Sequence, residues 1–181
     1  MHSPSVRRLM LYCVATVVLA TGCAGTGESQ SSGAPQEDDH NKVDVMFAQM
    51  MVPHHDDAIA MATYVGEVDS VDPRVGELAD TIATSQAAEN AEMNDWLGRR
   101  GYAEATSSPG EINAGALGEA SVEEVEAAFL GEMIAHHEHG VDMAEGAALR
   151  GESPAMVDLA QTMADDQTEQ IETMRDLLGR Q

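Results

Sequence analysis

Two histidine pairs could do chemistry in this chain, and each stands between two methionines. Met51, His54, His55 and Met61 form the first group, and Met133, His136, His137 and Met143 repeat its spacing. Imidazole and thioether together are donors that soft and borderline metal ions favour. Met51 is one helical turn before His54 and His55, so the three side chains can approach one point. His139 is an additional or entry ligand in the second group, where the first has Asp57. Met46 and Met50 lie at the edge of the same stripe and extend the set.

The metal follows from the donors. Thioether and imidazole without thiolate favour copper, Cu(I) through methionine and Cu(II) through histidine. Zinc accepts histidine and carboxylate but has no call for methionine, so it ranks second. A ferritin-type di-iron site would need Glu-x-x-His on two helices. That spacing occurs only at Glu37 to His40, ahead of the helical region, which argues against such a site. No nucleophile or general-base constellation accompanies the histidines, so binding without turnover is expected.

A second run of polar residues is placed to orient the rings. Gln86, Glu89 and Met93 share a helical stripe with Leu78, Ile82 and Trp96. Gln167, Gln170 and Met174 share one with Leu159 and Met163. Polar groups on an apolar stripe are costly when buried unless paired. The economical partners are the histidines of the adjacent helix, with Glu89 or an amide oxygen holding one ring N–H and leaving the other nitrogen free.

The elements that carry these residues come from an internal duplication. Val43, Phe47, Met51, His54, His55, Met61 and Ala62 recur 82 positions later, and Pro73, Leu78, Gln86, Met93 and Leu97 recur 81 positions later. Each half is then a helical hairpin, and two hairpins share one core. Asp72-Pro73 and Ser153-Pro154 place a cap before a proline at the first helical position. Ser121 to Glu124 has the spacing of a capping box, and Gly101 and Gly151 sit at helix C-termini. Helices are predicted over roughly 42–66, 73–100, 121–150 and 154–179, with a crossover loop over 101–120. The fold class is all-α, an antiparallel four-helix bundle. Pro53 should bend or loosen the first helix just ahead of its histidines.

The ends and the charge narrow the setting. Arg7 and Arg8 precede an apolar run from Leu9 to Ala20, the pattern of a secretory signal over residues 1–22. Ala20-Thr21-Gly22-Cys23 has the form of a lipid-attachment site, so membrane attachment through Cys23 is expected, with plain secretion as the other outcome. Residues 23–41 form the anchor and a polar tether, with His40 idle in it, and 42–181 the bundle domain. Nine basic residues against 32 acidic ones, a net charge of −23, disfavour nucleic acid as a partner and attract cations.

The arrangement Met-x-x-His-His-x-x-Ala/Gly-x-x-Met-Ala, followed by Gln-x-x-Glu-x-x-x-Met and Trp-Leu, resembles the family known as domain of unknown function 305. The resemblance covers about residues 40–181 in both copies. It implies a ferritin-like four-helix bundle, usually exported, with some members linked to copper binding and resistance. The second copy departs from the pattern at Gln170, where glutamate is expected.

The sequence therefore points to an extracytoplasmic copper-binding protein that sequesters or hands on the metal. Protonation should release metal as pH falls through the histidine range. The rival reading is a helical scaffold in the cell envelope, whose polar core fixes the register of two hairpins and whose surface meets another protein or a second copy.

Overall fold

The computed structural model describes residues 39–106 and 120–180, all within one unit, Gln36–Gln181. The signal, Cys23 with most of the tether, and the centre of the crossover loop lie outside the described residues. Four helices follow in order: α1 (Lys42–Gly66), α2 (Pro73–Arg99), α3 (Val122–Arg150) and α4 (Pro154–Leu178). Among the described residues there is no strand, and no helix is long and apolar enough to cross a membrane. The all-α expectation holds, with helix limits within a residue of those read from the sequence.

Each hairpin packs on itself, α1 on α2 and α3 on α4, and the hairpins join chiefly through α1 against α3. The two histidine-bearing helices thus form the seam of the bundle. The apolar core comes in two parts. One joins Phe47, Met51 and Val52 of α1 to Met93, Trp96 and Leu97 of α2, Ala144 of α3 and Met163 of α4. The other joins Ala58 and Val65 to Leu78, Ile82, Phe129, Met133, Ile171 and Met174. The early part of α1 shares a cluster with the late part of α3, so these helices run antiparallel. On every helix the break between the two parts falls at polar residues: His54 and His55, Gln86 and Asn90, His136 and His137, Gln167 and Gln170. A polar layer crosses the middle of the bundle.

Several details differ from the sequence reading. α1 is one continuous helix with Pro53 inside it, so the bend or loosening expected there does not interrupt it. Its N-terminus is closed by Asn41, whose side chain takes the Val43 and Asp44 N–H groups while Asp44 takes that of Asn41. The Ser153 side chain does not cap α4. Buried Asp44 instead accepts from the Glu152 and Ser153 N–H groups at 3.1 and 3.2 Å, and Ser153 Oγ accepts from Trp96 Nε1 at 3.2 Å. Gly101 has the positive φ (77°) of a helix end. Gly151 has an ordinary φ of −68° and is needed because a Cβ there would run into Asp44 Oδ1.

The equivalent of Asp44 in the other copy is Glu126, which accepts from the Asp72 N–H at 2.5 Å, just before α2. Each hairpin therefore lends a carboxylate to the turn of the other, a reciprocal tie that fixes their register. His40 is not idle. It shares a 3.1 Å hydrogen bond with Tyr102 Oη and packs edge-on against Trp96, ring centroids 5.5 Å apart. The last residues before α1 are thereby held against the end of α2.

Candidate metal centre

The closest approach across the seam is between the first histidines of the two pairs. The His54 and His136 rings lie 3.7 Å apart, centroid to centroid, tilted by 31°. His139, exposed at the surface, brings its ring to 5.1 Å from that of His54. Room for this meeting comes from Gly140, where a Cβ would stand 3.1 Å from His54 Cε1 and collide with Gln167 Oε1. Neither ring nitrogen of His54 or of His136 has a hydrogen-bond partner in the protein, although all four are buried. Leaving a buried polar group unpaired costs about 1–3 kcal/mol. Four such atoms in one place are a standing demand for a ligand.

The second histidines, His55 and His137, are fully buried and held by the polar residues of α2 and α4. His55 donates from Nδ1 to Asn90 Oδ1 at 3.1 Å, and its Nε2 accepts from Gln167 Nε2 at 3.4 Å. Glu89 Oε2 stands 3.5 Å from the same Nδ1. His137 donates from Nε2 to Gln170 Oε1 at 2.8 Å, and its Nδ1 has no partner in the protein. Gln170 and Glu89 meet the histidine of their own hairpin as expected, whereas Gln167 reaches across to His55 of the other copy and Gln86 Oε1 has no hydrogen-bond partner in the protein. Asn90 was not singled out, yet it also donates to Val52 O and Asp56 Oδ1. Its signal was available, one turn after Gln86 on the same stripe.

Burial governs the protonation of this layer. It lowers the His54 pKa to about 3, helped by the neighbouring histidines. Burial lowers His55 and His137 to about 4, partly opposed by their hydrogen bonds to Asn90 and Gln170. His136 is lowered too, with the Asp57 carboxylate pulling the other way. Burial raises Glu89 to about 7, and Asp166 and Glu92 add to the rise. The His55–Glu89 contact is therefore not an ion pair at neutral pH, because the ring is neutral. Neutral rings carry lone pairs ready for a metal without first losing protons. The same burial moves proton competition well below the ordinary histidine range.

The methionines sit to either side. Met51 and Met133 are fully buried, one in each apolar cluster, while Met143 packs against the cluster of Met51 and Met61 against that of Met133. A methionine of one copy thus shares its surroundings with a methionine of the other. Among the described residues no three His, Cys, Asp or Glu side chains converge as a metal cage. Near-parallel rings hold their in-plane lone pairs side by side, so shared coordination requires the rings to turn.

Comparison with known proteins identifies the architecture. The model of the domain of unknown function 305 (DUF305) matches residues 44–116 and 103–178, once for each copy. The chain belongs to the DUF305 family. A DUF305 fragment from Deinococcus radiodurans superposes with a TM-score of 0.69 at 30% identity, covering 78% of this chain and 98% of that one. A DUF305 protein of Streptomyces coelicolor described as secreted gives 0.68 at 30% identity, covering 76% and 93%. CopM, solved in a Cu(I)-bound form, gives 0.66 at 28% identity, covering 76% and 96%. CopM has also been solved with Cu(II) and with silver. No curated protein matches the chain. Copper binding is therefore a property found within the DUF305 family.

Proposed function

We propose that this DUF305 protein binds copper outside the cytoplasm, for sequestration or delivery and without turnover. The observation that supports it most is the His54–His136 contact, where four buried ring nitrogens lack partners beside the accessible ring of His139. His54 and His136 are the central ligands, His137 Nδ1 a further donor, and His139 the ligand at the entrance. His55 and Glu89 steady the layer, and the half-buried Met61 and Met143 are thioethers near it, with Met51 and Met133 deeper in the core. CopM in copper-bound forms supports the choice of metal, and the donor set places zinc second. Attachment through Cys23 would hold the domain at the outer face of a membrane.

The test is an anaerobic Cu(I) titration against a competing chelator, repeated with Cu(II) and Zn(II), on the wild type and on His54→Gln/His136→Gln. Copper bound more tightly than zinc, with the metal-induced rise in Tm lost in the double variant, is the expected result. At metal concentrations about 1,000 times Kd that rise corresponds to roughly 4 kcal/mol. Copper binding and thermal shift that survive in the double variant would remove these rings from the site. No copper binding at all would turn the polar layer into a device for hairpin register.

A further inference from the structure

A cleft of about 230 Å³ opens on the α1–α3 seam near the start of α1, lined by Val43, Met46, Phe47, Met50, Met143 and Ala147 with Arg150. Three of these are methionines. Met46 and Met50 are 56% and 54% exposed, large apolar side chains left on a helix surface that gains little from them. The duplication supplies an internal control. The equivalent positions in the other copy are Ala128 and Glu132, and Glu132 is exposed. The fold thus tolerates a small or charged residue at both places and does not itself call for methionine.

Their spacing ties the cleft to the histidines. Met46, Met50 and His54 follow one another at four-residue intervals, each about 6 Å further along α1. Met143 stands four residues after His139 on the antiparallel α3. Moving along the seam, the lining passes from exposed thioethers to half-buried imidazoles. Neutral thioethers hold soft ions but do not offset charge. Arg150 lies back over Gly146, where a Cβ would be 2.7 Å from its Nη2, and its guanidinium repels a doubly charged ion more than a singly charged one.

We infer that Met46, Met50 and Met143 form a separate, thioether-only site for a soft monovalent cation, Cu(I) or Ag(I), one helical turn from the histidine contact. It receives the ion at the surface and passes it along the seam. The inference rests on the copper reading for its destination; Met46 and Met50 lie outside the histidine centre, and Met143 is the residue that both sites border.

The test is ¹³C-methyl methionine NMR of the chain titrated with silver(I) in chloride-free buffer, on wild type, Met46→Leu/Met50→Leu and His54→Gln/His136→Gln. The methyl signals of Met46, Met50 and Met143 should shift in the wild type and still shift in the histidine variant. In the leucine variant, which keeps the apolar surface, the Met143 shift should require at least about tenfold more silver. Unmoved signals from these three in the wild type overturn the site, whatever the histidines do. Methionine shifts that vanish in the histidine variant also overturn it, by merging these residues into the histidine centre. A leucine variant with unchanged silver affinity shows the methionines to be apolar surface only. Loss of silver response at the histidines alone leaves this site standing and removes the other.

Discussion

The two copies use the same histidine pair differently. In the first, His55 has both ring nitrogens engaged, by Asn90 on one side and Gln167 on the other. In the second, Gln170 holds His137 Nε2, and Nδ1 is left without a protein partner. The cause is visible in the sequence: Asn90 is replaced by Ile171 and Glu89 by Gln170 at the equivalent positions. Duplication placed four rings on one level of the bundle, and divergence of the supporting helices closed one ring and left its counterpart open. The surface differs in the same manner, Met46 and Met50 facing Ala128 and Glu132 as their equivalents. The copies place their rings on one level of the bundle and differ in what holds the rings and in what they can bind.

Burial acts on both copies alike, and the largest expected effect follows from it. The folded-state pKa of His54 is about 3 and that of His55 and His137 about 4, below the unfolded value near 6.5. The unfolded chain therefore takes up protons first as pH falls. Stability from these rings is complete above about 6.5 and is lost progressively from there towards 4. Each ring that stays neutral to pH 4 corresponds to about 3 kcal/mol, and two would consume much of an ordinary domain's stability. Urea unfolding of the metal-free chain between pH 7.5 and 4 should show this loss. His55→Gln and His137→Gln should flatten the profile equally. A profile flat in the wild type would mean that the layer is solvated and the rings titrate normally. Copper release with falling pH is a separate measurement: rings that stay neutral in the metal-free fold predict that copper is held to lower pH than an exposed histidine would hold it.

Copper binding should separate the copies that acid treats alike. His137 presents a lone pair at Nδ1, whereas His55 must give up its bond from Gln167 before it can bind. His137→Gln is expected to weaken Cu(I) binding by about tenfold, some 1.4 kcal/mol, and His55→Gln by no more than about twofold. Equal losses in a chelator competition would show that the difference in hydrogen bonding is erased when the metal enters.

How much of this could be read from the chain depends on what kind of interaction decided it. The four helices, their duplication and the common level of the rings rest on 3.6-residue periodicity and on proline and glycine punctuation, which are local. The partnership of Gln167 and Gln170 with the rings was legible because a polar side chain on an apolar stripe demands a partner. The cross-copy meeting of His54 with His136 was not, since each pair alone looks complete with its own methionines. Only the antiparallel seam brings Met51 to share a cluster with Met143 and leaves His54 beside His136. Asp44 and Glu126 were hidden for a related reason. As the third residue of α1 and the fifth of α3 they read as ordinary acids near a helix start, and only the packing of one hairpin on the other turns them into caps for the partner's turn.

A last effect concerns Glu89, the carboxylate beside His55, where the copies differ by a single functional group. Glu89 has a folded pKa near 7 against an unfolded value of 4.5, because burial and the Asp166 and Glu92 charges disfavour its ionised form. The unfolded chain loses this proton first as pH rises. The contribution of Glu89 is therefore most favourable below about 4.5 and is eroded between 4.5 and 7, opposite in sense to the histidines. Glutamine, already present at the equivalent position 170, keeps the shape without the charge. Glu89→Gln should match the wild type near pH 4.5 and exceed it by about 1–2 kcal/mol at pH 8 in chemical denaturation of the metal-free chain. With the carboxylate gone, His55 keeps its bond to Asn90, so the ring should hold its tautomer. Equal stability of the two proteins at pH 8 would place Glu89 in contact with solvent and make the first copy's carboxylate a ligand at the surface instead of a buried support for His55.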